Sequence, residues 1–205
     1  MNPRRFALLA ILMLCLPIAA TADSGVDFGS VGGTLTGSGS GFSLAGSTLV
    51  SVNGLNGSLI TGNNLGSVTF LTGAFSSGSI QKGGTLAAGG SFTISGSGAT
   101  GIPSGTMFSG TFSGPVTWTL VTLANGTHNY TITGSLTGVL GGISTNGVTV
   151  QLSINTGKEL FDGSTLISSG DTRIENLTVP EPGTLSLLGA GLLGLAGSLR
   201  WKKKL

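Results

Sequence analysis

Cysteine, histidine and charge are all scarce in this chain. The one cysteine among 205 residues is Cys15, which lies in an apolar leader, so the chain beyond the leader has no disulfide to staple it. The one histidine, His128, has no cysteine to join it in a zinc site. Charged residues are 8% of the sequence. From Asp23 to Val179 the acids are Asp23, Asp27, Glu159, Asp162, Asp171 and Glu175, and the bases are Lys82, Lys158 and Arg173. That stretch is slightly acidic and has no basic patch, which gives nucleic-acid binding no support. The formal charge of +2 for the whole chain comes from its two ends. So few acids make a carboxylate pair across a glycosidic bond improbable. No serine stands in a G-x-S-x-G elbow. The Gly-Ser stretches Gly37–Gly41 and Gly96–Gly98 have no helix after them to cradle a phosphate. Glu159, Asp162 and Asp171 are the one loose grouping of acids, and surface solvation is favoured over calcium binding. No pattern asks for a metal or a cofactor.

Glycine is plentiful instead, at 38 of 205 residues beside 6 prolines. Val, Ile, Phe and Leu alternate with Ser and Thr, and charge is too sparse to keep the chain expanded. The 157 residues from Asp23 to Val179 are enough for one domain with a core of its own. No helical period occurs before Pro180. Short alternating runs recur about every 8–12 residues between turn signals, which predicts an all-β fold: an antiparallel β-sandwich or barrel. The domain is expected over residues 23–170, with 171–178 as a stalk. Ser79–Lys82 and Ser91–Ser95 read as strands. Gly62-Asn63-Asn64 and Asn146-Gly147 read as turns. Phe161 and Leu166-Ile167 are expected to complete the core.

Phe108 to Leu140 carries the strongest pattern. Phe108, Phe112, Val116, Trp118 and Leu120 share one parity, and beyond Asn125-Gly126 so do Tyr130, Ile132 and Leu136. Pairing must keep these apolar sets on one face. A three-residue loop, Ala124-Asn125-Gly126, does this by setting Leu120 opposite Tyr130 and Trp118 opposite Ile132, with Gly126 left-handed. The same register puts Thr117 opposite Thr133 and Thr119 opposite Thr131. Those four threonines form a patch on the outer face.

Both ends read as targeting segments. Arg4 and Arg5 precede an apolar run from Phe6 to Ala20, and Ala20-Thr21-Ala22 is an A-x-A cleavage pattern. Residues 1–22 are therefore a secretory signal peptide. Leu14 before Cys15 argues against a lipoprotein signal. At the other end, Val179-Pro180-Glu181-Pro182-Gly183 is followed by an uncharged Leu- and Gly-rich run and then by Arg200, Lys202, Lys203 and Lys204. The 18 residues between Glu181 and Arg200 carry no formal charge. As a helix they would span about 27 Å, close to the thickness of a bilayer core. One transmembrane helix over 183–199 is predicted, with the basic tail 200–205 on the cytoplasmic side. Ala190, Gly194 and Ser198 lie four apart on one face of it, a spacing that lets a second helix approach closely. Pro180 and Pro182 each hold the residue before them extended, so Glu181 is presented outside the helix.

These three parts in this order resemble the PEP-CTERM sorting segment, with the motif at Val179–Gly183, the span and the tail over residues 179–205. The resemblance implies export through the inner membrane and a membrane-anchored precursor. It also implies cleavage near the motif by an exosortase, an integral membrane processing enzyme. Cell-surface or extracellular-matrix delivery would follow. The favoured reading is a non-catalytic surface or exopolysaccharide-matrix protein of the biofilm kind. The alternative is a binding module, either a polysaccharide adhesin or an ice-binding protein, since related segments occur on some of the latter. The patch of Thr117, Thr119, Thr131 and Thr133 would then be the binding face. Thr is also simply a good residue for a wet strand.

Overall fold

The computed structural model describes residues 25–177 other than 56 and 100. The signal cleavage site at Ala20 and Ala22, the motif from Val179, the predicted span and the basic tail lie outside the described residues.

The described chain is all β. Its strands are β1 (Val26–Val31), β2 (Thr34–Ser38), β3 (Gly41–Asn53), β4 (Leu59–Leu71), β5 (Phe75–Ser79), β6 (Gly83–Leu86) and β7 (Gly89–Ser97). They continue as β8 (Ser104–Phe112), β9 (Val116–Thr122), β10 (His128–Leu140), β11 (Ile143–Asn155), β12 (Ser164–Leu166) and β13 (Ser169–Leu177). Eight of them close an antiparallel barrel in the order β10-β11-β13-β1-β3-β4-β7-β8, with β8 pairing back onto β10. Of the two architectures expected, the barrel is the one formed. Closure leaves none of these eight as a free edge.

Two flaps branch from this ring because two long strands each serve two partners along one edge. β10 pairs β8 through Leu136–Leu140 and β9 through His128–Thr133. β9 then carries β6, and β6 carries β5. Likewise β3 pairs β1 through its second half and β2 through its first, and β2 carries β12.

The interior holds two aromatic groups. Phe70, Phe92, Phe108 and Phe112 pack together in the ring, with centroids 5.9–6.2 Å apart. Gly110 and Gly138 stand opposite one another beside them. The Phe108 ring occupies the space their side chains would need, since a Cβ at either would lie 2.8 Å from its Cζ. Beneath the flaps, Trp118 stacks on Tyr130, Phe161 closes in on both, and Phe42 packs against Trp118.

Several expectations need correction. Residues 171–177 are not a stalk. They belong to β13, which pairs β1 on one side and β11 on the other and so closes the barrel. The domain accordingly runs past residue 170. Of Ser79–Lys82, Ser79 ends β5 and residues 80–82 are the turn joining β5 to β6, so this stretch is not a strand of its own. Asn146-Gly147 lies inside β11, because Thr145 and Val148 both point into the core and keep the strand running. The chain turns at Gly141-Gly142 instead, where both φ angles are positive (55° and 89°), as a two-residue hairpin requires. Gly62-Asn63-Asn64 lies inside β4. Phe161 and Ile167 are buried as expected, but Leu166 is 67% exposed, since β12 is an edge strand.

Candidate functional site

The loop that fixes the threonine patch forms as the apolar parity requires. Leu120 faces Tyr130, Trp118 faces Ile132, Thr119 faces Thr131 and Thr117 faces Thr133. Leu123 N–H donates to Thr127 O (2.8 Å) and Gly126 N–H to Leu123 O (2.9 Å), which leaves three residues in the loop. Gly126 has φ of 81°, the sign this loop demands. Asn125 serves the turn itself, its Oδ1 accepting from Thr127 N–H at 3.0 Å.

The patch is part of something wider. Ser77, Thr85, Thr117, Thr133, Gln151 and Asp171 face one another in turn across β5, β6, β9, β10, β11 and β13. A second row runs Thr119, Thr131, Ser153 and Ser169, and a third runs Ser135, Thr149, Arg173 and Asp27. Where the rows meet, a groove of about 370 Å³ opens on the outer face, lined by Thr117, Thr133, Thr149, Gln151, Asp171 and Arg173 among others. Hydroxyls and a carboxamide both donate and accept, so the groove can match a polar ligand in either sense.

Charge gathers at one end of this groove. Arg173 Nε lies 2.7 Å from Glu175 Oε1 and 3.8 Å from Asp27 Oδ1. Asp171 lies within reach of Asp27 and Arg173. Partial desolvation raises its carboxyl above the ordinary value of 3.8, the negative charge of Asp27 raises it further, and Arg173 works the other way. Composition alone did not mark Gln151, Asp171 and Arg173 as neighbours of the threonines. The signal was there in the alternation of β13, where Asp171, Arg173 and Glu175 point outward around buried Thr172 and Ile174.

The remaining polar candidates stay apart. His128 Nδ1 is 2.9 Å from Thr122 Oγ1 at the loop end. Asp162 Oδ1 accepts from Ser164 N–H at 3.4 Å and lies outside the group around Asp171. Among the described residues, no three His, Cys, Asp or Glu side chains come together as a metal site. Hydroxyl rows also occur across β4, β7 and β8, where Thr69, Thr93 and Ser109 face one another, so an outward threonine is common on this barrel.

Comparison with known proteins assigns the other end of the chain. Residues 178–202 match the PEP-CTERM protein-sorting motif. The match implies an exported protein that an exosortase sorts at the membrane. No curated protein and no solved structure matches the chain.

Proposed function

We propose that this is a non-catalytic surface or exopolysaccharide-matrix protein. It is exported, held at the inner membrane by its C-terminal run, cleaved near Val179–Pro182 and delivered as a free barrel. The observation that carries the reading is the placement of the sorting motif at residues 178–202, directly after the strand that completes the barrel. The barrel of the described residues therefore closes upstream of the motif, which favours a product that keeps its fold after processing. A non-catalytic role is favoured by the placement of His128 and Asp162 away from the groove, tied to Thr122 and Ser164. Replacing Pro180, Glu181 and Pro182 with alanine in the native host tests the sorting step by intact mass and cell fraction. The variant is expected to keep its C-terminus and stay in the membrane. Unchanged mass and location for the mature protein would sink the proposal.

The groove beside Thr117 and Thr133 favours a second reading, binding of a hydroxylated polymer. Every aromatic ring among the described residues is buried or half-buried, so a sugar would be held by hydrogen bonds and not by ring stacking. Ice binding is the weaker form of this reading, because strands in a closed barrel curve and twist away from a plane. Replacing Thr117 and Thr133 with valine keeps shape and removes hydroxyls. Loss of retention on the host polysaccharide would support adhesion, and recrystallisation inhibition by the unaltered protein would support ice binding.

A further inference from the structure

The groove beside Thr117 and Thr133 holds its charges unevenly. The charged side chains that line it are Asp171 and Arg173, at alternate positions of β13. Arg173 is already engaged. Its Nε lies 2.7 Å from Glu175 Oε1 and 3.8 Å from Asp27 Oδ1, and neither of those carboxylates lines the groove. Asp171 forms no ion pair among the described residues. Neither Lys82 nor Lys158 is among the residues that line the groove. Partial desolvation and the negative charge of Asp27 both work against the Asp171 carboxylate, so a cation placed beside it would relieve both.

Next to Asp171 the surface is uncharged and rich in hydrogen-bonding groups. Gln151 faces it from β11, and Thr133 and Thr117 continue the same row. All four side chains are exposed. The groove volume of about 370 Å³ falls within the usual range of ligand clefts, about 300–1,000 Å³. A ligand that suits it carries hydroxyls for the row and a cation for Asp171. A uronate meets Asp171 as a like charge and finds Arg173 already paired. A neutral sugar satisfies the row and leaves the carboxylate uncompensated. An ammonium group near Asp171 gains a charge-assisted hydrogen bond, the stronger kind.

We propose that the groove selects a polymer of amino sugars, with Asp171 taking an ammonium group and Gln151, Thr133 and Thr117 taking the neighbouring hydroxyls. The inference rests on the polymer-binding reading above and adds to it the sign of the ligand's charge. Two hexamers serve as probes, β-1,4-linked glucosamine and β-1,4-linked glucose, which differ only in an amine or a hydroxyl at C2 of each ring. Calorimetry on the full-length protein in detergent, at low salt and mildly acid pH, is expected to show the glucosamine hexamer bound roughly threefold or more tighter, the scale of an exposed ion pair. Asp171→Asn should remove that preference and leave the glucose hexamer bound as before. Asp162→Asn removes the same charge away from the groove and should keep the preference. Thr117→Val with Thr133→Val should weaken both hexamers. Equal binding of the two by the unaltered protein, with both weakened by the valine pair, would overturn the amine selection and leave the polymer groove standing. A preference that survives Asp171→Asn, or that Asp162→Asn removes as fully, would assign it to overall charge and also overturn the selection. Binding of neither hexamer, or binding indifferent to the valine pair, would overturn both readings.

Discussion

The ring of Trp118 lies on that of Tyr130, with centroids 4.6 Å apart and planes 13° from parallel. Both rings also donate hydrogen bonds to consecutive carbonyls of the β5–β6 turn. Trp118 Nε1 reaches Ile80 O at 2.7 Å, and Tyr130 Oη reaches Gln81 O at 2.8 Å. The Tyr130 oxygen in turn accepts from Phe161 N–H at 3.2 Å. One stacked pair thus ties the flap, the barrel and the segment before β12 together. Buried Tyr and Trp need partners for their polar tips, and here those partners are supplied by backbone from distant parts of the chain.

Tyr130→Phe keeps the stacking and removes both hydrogen bonds of the hydroxyl. Phe161 N–H is then left without its partner in a buried position. The expected cost is about 1–3 kcal/mol, a fall in Tm of roughly 2–4 °C for each kcal/mol in a domain of this size. Thermal unfolding of the exported domain measures it. An unchanged Tm would mean that the flap is not held by this hydroxyl.

Gly138 tests the packing of the ring itself. A Cβ there would collide with Ser109 O and approach Gly110 Cα at 2.7 Å, both of them backbone atoms that cannot swing aside. Gly138→Ala is expected to destabilise the barrel by about 1–3 kcal/mol. Gly142→Ala is the informative partner, since a Cβ there meets nothing and only its φ of 89° opposes the change. Urea midpoints should fall further for Gly138→Ala. The reverse order would contradict the close approach of β8 and β10.

Much of this was open to a reader of the sequence. The register of β9 and β10 followed from parity, because Trp118, Leu120, Tyr130 and Ile132 had to share a face, which a three-residue loop allows and a two-residue Asn-Gly loop does not. The turns were harder. Asn146-Gly147 carries strong turn chemistry, yet Thr145 before it and Val148, Val150 and Leu152 after it are all buried, with a shift of register between them, and the core outweighs the local signal. Closure of the barrel was hidden for a different reason. β13 buries Ile174 and Thr172 amid three charged residues, so its apolar content is low although its alternation is regular. Its partner β1 lies at the other end of the domain, a pairing that no local window reports. The groove depends on that pairing, because Asp171 and Arg173 reach the threonine rows only once β13 is in place.

Asp171 should make stability depend on acid pH in a direction opposite to most carboxylates. Its folded-state pKa is raised, by partial desolvation first and by Asp27 second. The folded state therefore holds this proton more tightly than the unfolded chain does. Its contribution is favourable below the ordinary value of 3.8 and is lost as pH rises through the raised folded value. Solvent exposure and Arg173 keep the effect small. Asp171→Asn is expected to remove this falling contribution, so that the variant gains more stability than the wild type as pH rises and is slightly more stable at neutral pH. Chemical denaturation of both proteins across pH 3–7 checks it, and a wild-type stability that rises through this window no less than that of the variant would refute it.

The domain boundary gives the sharpest test of the fold. A chain from Asp23 to Leu177 keeps β13, and with it the pairs Ile174–Val26 and Ile174–Val148. A chain ending at Gly170 removes Asp171 to Leu177, exposing one edge of β1 and one of β11. It also empties the space of the Ile174 side chain, which is fully buried. Loss of a buried Ile alone costs about 2–5 kcal/mol, and two long unpaired edges invite association with other chains. Since a domain of this kind is stable by only about 5–15 kcal/mol, the shorter chain should fail to fold cooperatively or should aggregate. The longer one should melt in a single transition. If the chain ending at Gly170 melted cooperatively as a monomer, β13 would be an appendage, and residues 171–177 would revert to a stalk between the barrel and the sorting motif.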